Sequence, residues 1–219
     1  MKKSLIALAF GTLALGMTEF VMMGILADVA NSLHISIPQA GHLVSAYALG
    51  VTCGAPLLAV AKQFRPKSIL LFLMAFVFVG ALLSATAPNY FVFLLARFIS
   101  GLPHGAYFGV ASIVAVRLAD EGHKTGAVSI MIAGMTVANL LGVPFETALS
   151  AHISWRMPFV IVLFYSLLVI YYIWKWVPRL DATPSNGYKG QFRFLKTRAP
   201  WLILGATMLG NGGVFCFYS

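Results

Sequence analysis

A chain of 219 residues that is 60% hydrophobic and only 10% charged, with a mean hydropathy of +0.88, is far from the roughly 25% charged content of soluble domains, so a soluble globular fold is excluded. The formal net charge of +9 does not argue for nucleic-acid binding, because a basic face needs a soluble fold to carry it; it has to be explained by membrane topology. Cys53 and Cys216 each lie in an apolar segment, which supports neither a disulfide framework nor a Cys-based metal site.

A helix crosses the roughly 30 Å hydrocarbon core with about 20 mostly apolar residues, since every backbone polar group must be satisfied internally there. The first such run is Leu5 to Leu26. Its opening, MKKSLIALAFGTLALGM, imitates a secretory signal, but the apolar run outlasts the usual limit of about 15 residues and several more follow. The second is Ala40 to Ala61, with Gly50 and Gly54 followed by Pro56, and the third is Ser68 to Ala87. The fourth, Tyr90 to Leu118, is interrupted by ARFISGLPHGAYFG. The fifth is Thr125 to Leu149, the sixth Met157 to Val177, and a seventh starts at Pro200 and runs to Ser219. Between the sixth and seventh, PRLDATPSNGYKGQFRFLKTRA reads as a polar linker, and Gln191 to Lys196 is expected to form an interfacial helix. The expected organisation is therefore a bundle over 1–177, a linker over 178–199 and the start of a second bundle over 200–219.

Lysine and arginine are retained on the cytoplasmic side of membrane proteins. Lys2, Lys3, Lys62, Arg65, Lys67, Arg117, Lys124, Lys175, Arg179, Lys189, Arg193, Lys196 and Arg198 all fall on one side of the spans, and Arg156 alone falls on the other. The N-terminus is thus expected in the cytoplasm. Arg97 belongs to neither side. It lies about seven residues into the fourth run, roughly 10 Å deep at 1.5 Å per residue, where an arginine costs about 2.5 to 3.5 kcal/mol on insertion scales. Such a residue requires a partner or a hydrated cavity, unless it snorkels to the interface.

At 100° per residue Arg97, Gly101, His104 and Phe108 project from one face, and Pro103 removes a backbone bond and favours a kink. Glu19, at comparable depth in the first run, is the expected partner of Arg97. A carboxyl whose arginine contact changes between conformations takes up and releases a proton, so Glu19 and Arg97 are the candidate proton-coupling residues; a static ion pair that only orients two helices is the alternative. In the fifth run Asn139, Gly142 and Glu146 are expected to share a face. Gly134, Ala138 and Gly142 recur at every fourth position, which allows close helix approach, and Pro144 is expected to bend the outer end.

The stretch ARFISGLPHGA resembles the fourth-span motif of major facilitator superfamily transporters of the drug:proton antiporter type. GMTVANLLGVP resembles their fifth-span Gly-Pro antiporter motif, SWRMPF the Trp-Arg-x-x-Phe junction before span six, and TEFVMMGILADVA the acidic first span; QFRFLKTRAPWLILGATMLGN is similar to the entry to the second half. The likeness covers the whole chain and leans toward the sugar-efflux permeases. It implies an all-α polytopic membrane protein, a six-helix N-terminal bundle with a partial seventh helix. It also implies a carrier that exports a small solute against protons by alternating access from a site near the midplane of a bacterial inner membrane. Glu19 takes the place of the family's first-span acid, Arg97 of its fourth-span arginine, and Gly142 and Pro144 of its helix-bending positions. Gly101, Pro103 and Lys67 join these as candidate bending and gating residues. His104, Asn139, Phe108 and Met135 are candidates for the substrate cavity. A cavity lined by Met22, Met23, Phe108, Met131 and Met135 suits amphipathic compounds, while the likeness points to sugars; these residues equally suit a lipid-facing surface.

Three departures stand out. In AVAKQFRPK the family's loop acid is replaced by Lys62, with only Lys67 kept, so the resemblance does not carry the gating ion pair of that loop over to this chain. Glu146 stands where the family has glycine and predicts weaker packing, such that Glu146→Gly is expected to be no less thermostable. Third, the chain ends within its seventh span, which is expected of a fragment, a truncated reading frame or one of two halves that assemble, and makes a non-transporting remnant the alternative to a carrier. A retinal receptor is excluded because no lysine follows Lys196. An enzyme is not expected, since no HExxH helix exists and no motif supports an intramembrane protease. Neither cofactor nor metal is expected, and the partners are a small solute, protons, the bilayer and a second half-transporter, with no nucleic acid.

Overall fold

The computed structural model describes residues 2–56, 63–182 and 196–218. The described helices are α1 (Lys2–Leu33), α2 (Ile37–Gly54), α3 (Pro66–Thr86), α4 (Tyr90–Leu118), α5 (Lys124–Val137), α6 (Val143–His152), α7 (Met157–Trp176) and α8 (Arg198–Tyr218), with a π-helical turn, Ala138–Gly142, joining α5 to α6. Among the described residues five segments are long and apolar enough to cross a membrane: α1, α3, α4, the continuous Lys124–His152 segment and α7. Of the expected span Ala40 to Ala61, the part up to Gly54 lies in α2, and residues 57–61 lie outside the described residues. Lys62 and the expected interfacial segment over 191–195 lie outside the described residues.

Two compact units, Met1–Thr183 and Pro184–Ser219, divide the chain. The second is described through α8, whose Trp201, Leu202, Ile203 and Leu204 are exposed.

Local chemistry sets the helix ends of the first unit. Ser36 caps α2 by accepting from the Gln39 N–H while the Gln39 side chain reaches back to the Ser36 N–H, a reciprocal capping box. Asn89 caps α4 by accepting from the Val92 N–H at 3.0 Å. Helix α1 is the axis of this unit, packing on α2, α4, α5, α6 and α7. Lipid gives no hydrophobic incentive for helices to associate, so close van der Waals packing between small residues must do it. On α2, a Cβ at Gly50 or Gly54 would meet the carbonyls of Phe98 and Leu102 on α4, and one at Gly101 would meet the Tyr47 carbonyl. The α2–α4 crossing therefore brings backbone against backbone. On α5, Gly134 abuts the Ala9 carbonyl in the same way.

Residues facing away from these contacts, among them Phe72, Phe91, Leu95, Leu141, Phe164 and Trp174, are large, apolar and exposed, as a lipid-facing surface requires. At one end of the unit Ser4 Oγ donates to the Trp176 carbonyl at 2.7 Å, Lys67 Nζ to the Trp174 carbonyl at 2.6 Å, and Arg117 Nη1 to the Asp181 carbonyl at 2.7 Å. This gathers the basic residues of the chain's N-terminus and of the α3 start with the ends of α4 and α7. At the other end Arg156 Nη2 donates to the Ala87 carbonyl at 2.8 Å, with its guanidinium 4.2 Å over the Trp155 ring, and Trp155 packs on Phe93 and Phe159. The Trp-Arg-x-x-Phe junction thus fastens the α6–α7 turn to the α3–α4 corner.

Candidate functional site

The buried core of the first unit falls into two apolar clusters. One contains Leu8, Leu15, Met17, Leu70, Ala106, Tyr107, Val114 and Met131, and the other Val21, Met22, Ile25, Leu43, Phe93, Ala96 and Phe159. Along α1 the break lies between Met17 and Val21, and along α4 between Ala96 and Ala106. Glu19, Arg97, Gly101, Pro103 and His104 occupy that break, so ionisable groups form a layer between two greasy ones.

Arg97 is wholly buried. Its Nη1 donates to the Thr18 carbonyl on α1 at 2.6 Å, its Nε lies 3.5 Å from the Leu43 carbonyl on α2, and its guanidinium carbon sits 4.5 Å from the Tyr47 ring centroid. Helix carbonyls carry a second lone pair beyond their intrahelical bond, which is how α1 and α2 supply acceptors to a cation without unwinding. The snorkelling alternative is overturned: the side chain points into the bundle. The direct Glu19–Arg97 ion pair is also absent among the described residues. Glu19 Oε2 instead lies 3.7 Å from His104 Nε2. The reason is geometric, because the arginine meets α1 at the Thr18 backbone, one residue before Glu19.

His104 is hydrogen-bonded at one ring nitrogen and faces Glu19 with the other. Its Nδ1 is 2.8 Å from the Tyr47 hydroxyl, and its ring stacks on Phe108 at a centroid distance of 5.2 Å. Arg97, Tyr47, His104 and Glu19 thereby form a chain of contacts from α4 to α2, back to α4 and on to α1. Tyr47 was not among the residues the sequence singled out. The available signal was its spacing: Tyr47, Gly50 and Gly54 lie at i, i+3 and i+7, one helical face, and the two glycines mark that face as the α4 contact.

Other candidates are distributed differently. Met22 and Met131 are core residues, at most 1% exposed, so they do not line a cavity. Met135 and Asn139 lie together with Phe20, Ile132, Thr136 and Leu140 along a shallow groove beside α1. Met23 and Phe108 are half-buried, and Phe108 faces His104 rather than that groove. Lys67 is at the basic end, far along the fold from the layer, bonded to the Trp174 carbonyl.

The shared face of Asn139, Gly142 and Glu146 is a correction. Asn139 is exposed, Gly142 is half-buried against Met17, and Glu146 is fully buried. The π turn separates them: the Val143 N–H bonds to the Ala138 carbonyl, five residues back. A wider turn adds a residue to the helical circuit and rotates everything beyond it. Pro144 explains its location, since its ring would clash with the carbonyl four residues earlier in a regular α-helix. Among the described residues neither carboxylate oxygen of Glu146 has a hydrogen-bond partner, and the same holds for Glu19 Oε2 and Arg97 Nη2.

Comparison with known proteins gives these features a family. The Major Facilitator Superfamily model matches residues 8–219. The chain is 44% identical to "Putative transporter AraJ" of Escherichia coli (strain K12), over 100% of this chain and 56% of the relative. It is 38% identical to "Inner membrane transport protein YdhP" of the same organism, over 98% of this chain and 56% of that one. A "Probable sugar efflux transporter" of Helicobacter pylori (strain HPAG1) is 30% identical over 82% of this chain and 45% of its own length. The chain spans about half the length of the curated relatives it matches. Among solved structures, the peptide transporter POT in complex with sulfate aligns with a TM-score of 0.69 at 15% identity, covering 96% of this chain and 47% of that chain. The proton:xylose symporter XylE aligns with a TM-score of 0.66 at 17% identity, covering 81% and 44%; both likenesses concern the fold alone. With helices throughout the described residues, membrane-crossing segments in the first unit and a family match running to the last residue, the chain is an all-α multi-pass membrane protein that belongs to the major facilitator superfamily.

Proposed function

We propose that the chain forms the N-terminal half, and the beginning of the second half, of a secondary active transporter that exports a small solute by proton antiport with alternating access. The observation that carries this reading is the buried layer of Glu19, Arg97, His104 and Tyr47. Ionisable groups at membrane depth are costly and are retained where they bind or move charge. Here the guanidinium rests on two backbone carbonyls and Glu19 rests against His104, and a direct Glu19–Arg97 contact is proposed as the alternative arrangement. Exchange between the two arrangements changes how well the carboxylate is compensated, and so drives proton uptake in one conformation and release in the other. Gly101 and Pro103 on α4 and Gly142 and Pro144 at the π turn are the positions at which the helices flex, and Lys67 holds the α3–α7 corner at the basic end.

The solute is proposed to be a sugar or an amphipathic compound. The sugar reading is supported by the Helicobacter pylori relative's name, and the amphipathic one by the mixed groove of Phe20, Met135, Thr136 and Asn139. His104 and Phe108 are proposed to meet the solute from α4. The protein is proposed to reside in a bacterial inner membrane, its N-terminus cytoplasmic, with 1–177 as the bundle, 178–199 as the central linker and the segment from 200 as the start of a second bundle. A second six-helix half is the implied partner.

The test is export in everted membrane vesicles carrying an imposed pH gradient, read by a pH-sensitive dye while sugars and amphipathic cations are added in turn. Solute-dependent dissipation is expected from the wild type and none from Glu19→Gln. Full coupling in Glu19→Gln refutes the assignment.

A further inference from the structure

We infer that the groove between α3 and α7, at the basic end of the first unit, seats one anionic phospholipid, its phosphate held by Lys67 and Lys175 and its acyl chain laid along Phe72 and Leu167. The inference goes beyond the proposed function and does not depend on transport.

The groove follows from how the two helices meet. Helix α3 begins and α7 ends at the same end of the unit, where Lys67 Nζ donates to the Trp174 carbonyl at 2.6 Å, and the helices pack along each other from there. Leu167, Tyr171, Trp174 and Lys175 stand at i, i+4, i+7 and i+8, one face of α7. All four are exposed, Trp174 at 63%. Phe72, exposed on α3, lies five residues further in than Lys67, and Leu167 seven residues further in than Trp174. At 1.5 Å per residue these are depths of roughly 7.5 and 10.5 Å. From the end inward the surface therefore passes from two ammonium groups, through a tryptophan and a tyrosine, to hydrocarbon side chains. A phospholipid has the same order of phosphate, ester region and acyl chain, and aromatic rings with a polar edge favour the middle zone.

Charge decides which phospholipid. Lys67 rests on a backbone carbonyl, and Lys175 Nζ lies 3.0 Å from the Tyr171 hydroxyl and 5.3 Å from the centre of its ring. Both partners are neutral, and an ammonium with three N–H groups keeps donors for further acceptors. The chain holds six acidic residues. Glu19 lies in the buried layer, Glu146 is buried and Asp28 accepts from Ser150, while Asp120, Glu121 and Asp181 follow the ends of α4 and α7. Among the described residues none of the six pairs with Lys67 or Lys175, and no acid falls outside those residues. The counter-charge has to come from outside the chain. A lipid phosphate supplies it from the membrane side, where basic side chains between helices bind anionic headgroups; a free phosphate would leave the apolar part of the groove unused.

The test is quenching of tryptophan fluorescence by lipids brominated high on the acyl chain, with the full chain reconstituted in mixtures of phosphatidylglycerol and phosphatidylcholine. The share of Trp174 is the part lost in Trp174→Phe. Brominated phosphatidylglycerol is expected to quench Trp174 at a lower mole fraction than brominated phosphatidylcholine. That preference should fall roughly fivefold in each of Lys67→Gln and Lys175→Gln, the weight of one basic side chain beside an anionic surface. Lys2→Gln combined with Lys124→Gln, which removes charge from the same end outside the groove, should leave it intact. Equal quenching by the two lipids in the wild type overturns the inference. An equal loss in the Lys2, Lys124 control does so too, since it would mean diffuse attraction to the whole basic end. Loss of the preference on adding inorganic phosphate at constant ionic strength would make a free anion the occupant and overturn the lipid. If Lys67→Gln does not fold, Lys175→Gln, at an exposed side chain, carries the test, an unchanged preference there being the refuting result.

Discussion

Arg97 is bound by groups that do not titrate, the carbonyls of Thr18 and Leu43 and the face of Tyr47. A cation held this way keeps its position while the acids around it gain or lose protons. The same arrangement makes it hard to replace. Arg97→Ala strips the layer of its permanent positive charge, removes both carbonyl contacts and leaves a cavity, a cost of about 3–5 kcal/mol, the range for large buried side chains cut back to alanine. Arg97→Lys retains the charge but loses the planar fork that reaches α1 and α2 together, for a cost of roughly 1.5–3 kcal/mol, the range of hydrogen bonds to charged groups. Thermal unfolding in detergent is expected to rank the wild type above Arg97→Lys and Arg97→Lys above Arg97→Ala. Equal melting of all three would mean that the arginine is not anchored between helices. The presence of an ionisable layer was legible from Arg97, His104 and Glu19 in the sequence. Tyr47 was not, because a tyrosine in an apolar helix looks like any other large side chain until its hydroxyl is seen against His104.

Helix pairs in this bundle are set by where side chains are missing. At the α2–α4 crossing, a Cβ on Gly101 would lie 2.2 Å from the Tyr47 carbonyl oxygen, and backbone cannot swing aside as a flexible side chain can. Gly101→Ala is therefore expected to destabilise by about 1–3 kcal/mol, as overpacking does, and to disturb the layer by displacing Tyr47. Gly126→Ala is the matched control, with nothing within 4 Å of its added methyl and a gain of up to about 1 kcal/mol from helix propensity. The comparison is read as the difference in melting temperature between the two variants; a Gly101→Ala protein as stable as Gly126→Ala contradicts the close crossing. The Tyr90–Leu118 helix has the ends its apolar run predicts, and the small residues of span five do face α1. The π turn beyond them was not readable. Pro144 announces a local disturbance, but whether a helix answers with a kink, a break or an extra residue depends on what it packs against.

Across the whole molecule, the basic residues near the starts of α1 and α3 and the ends of α4 and α7 gather at one end of the first unit, and Arg156 stands at the other. Under the positive-inside rule the first end is the one proposed to be cytoplasmic. In a Cys53→Ser, Cys216→Ser background, Ser154→Cys is expected to react with a membrane-impermeant maleimide on intact cells, and Glu121→Cys only after permeabilisation. The reverse pattern would invert the topology and place the proposed antiport in the opposite direction.

The sequence by itself determined that this is a membrane protein, roughly where its helices cross, which ends share a side, and that a permanent cation lies within the bilayer. These properties are one-dimensional, because each helix must satisfy its own backbone in lipid and each positive flank acts close to its own span. Only the tertiary structure decided what the cation touches and which acid is hidden. Those answers depend on how separate helices are rotated about one another, and a single π turn between Ala138 and Gly142 rotates Glu146 from the face of Asn139 into the heart of the bundle.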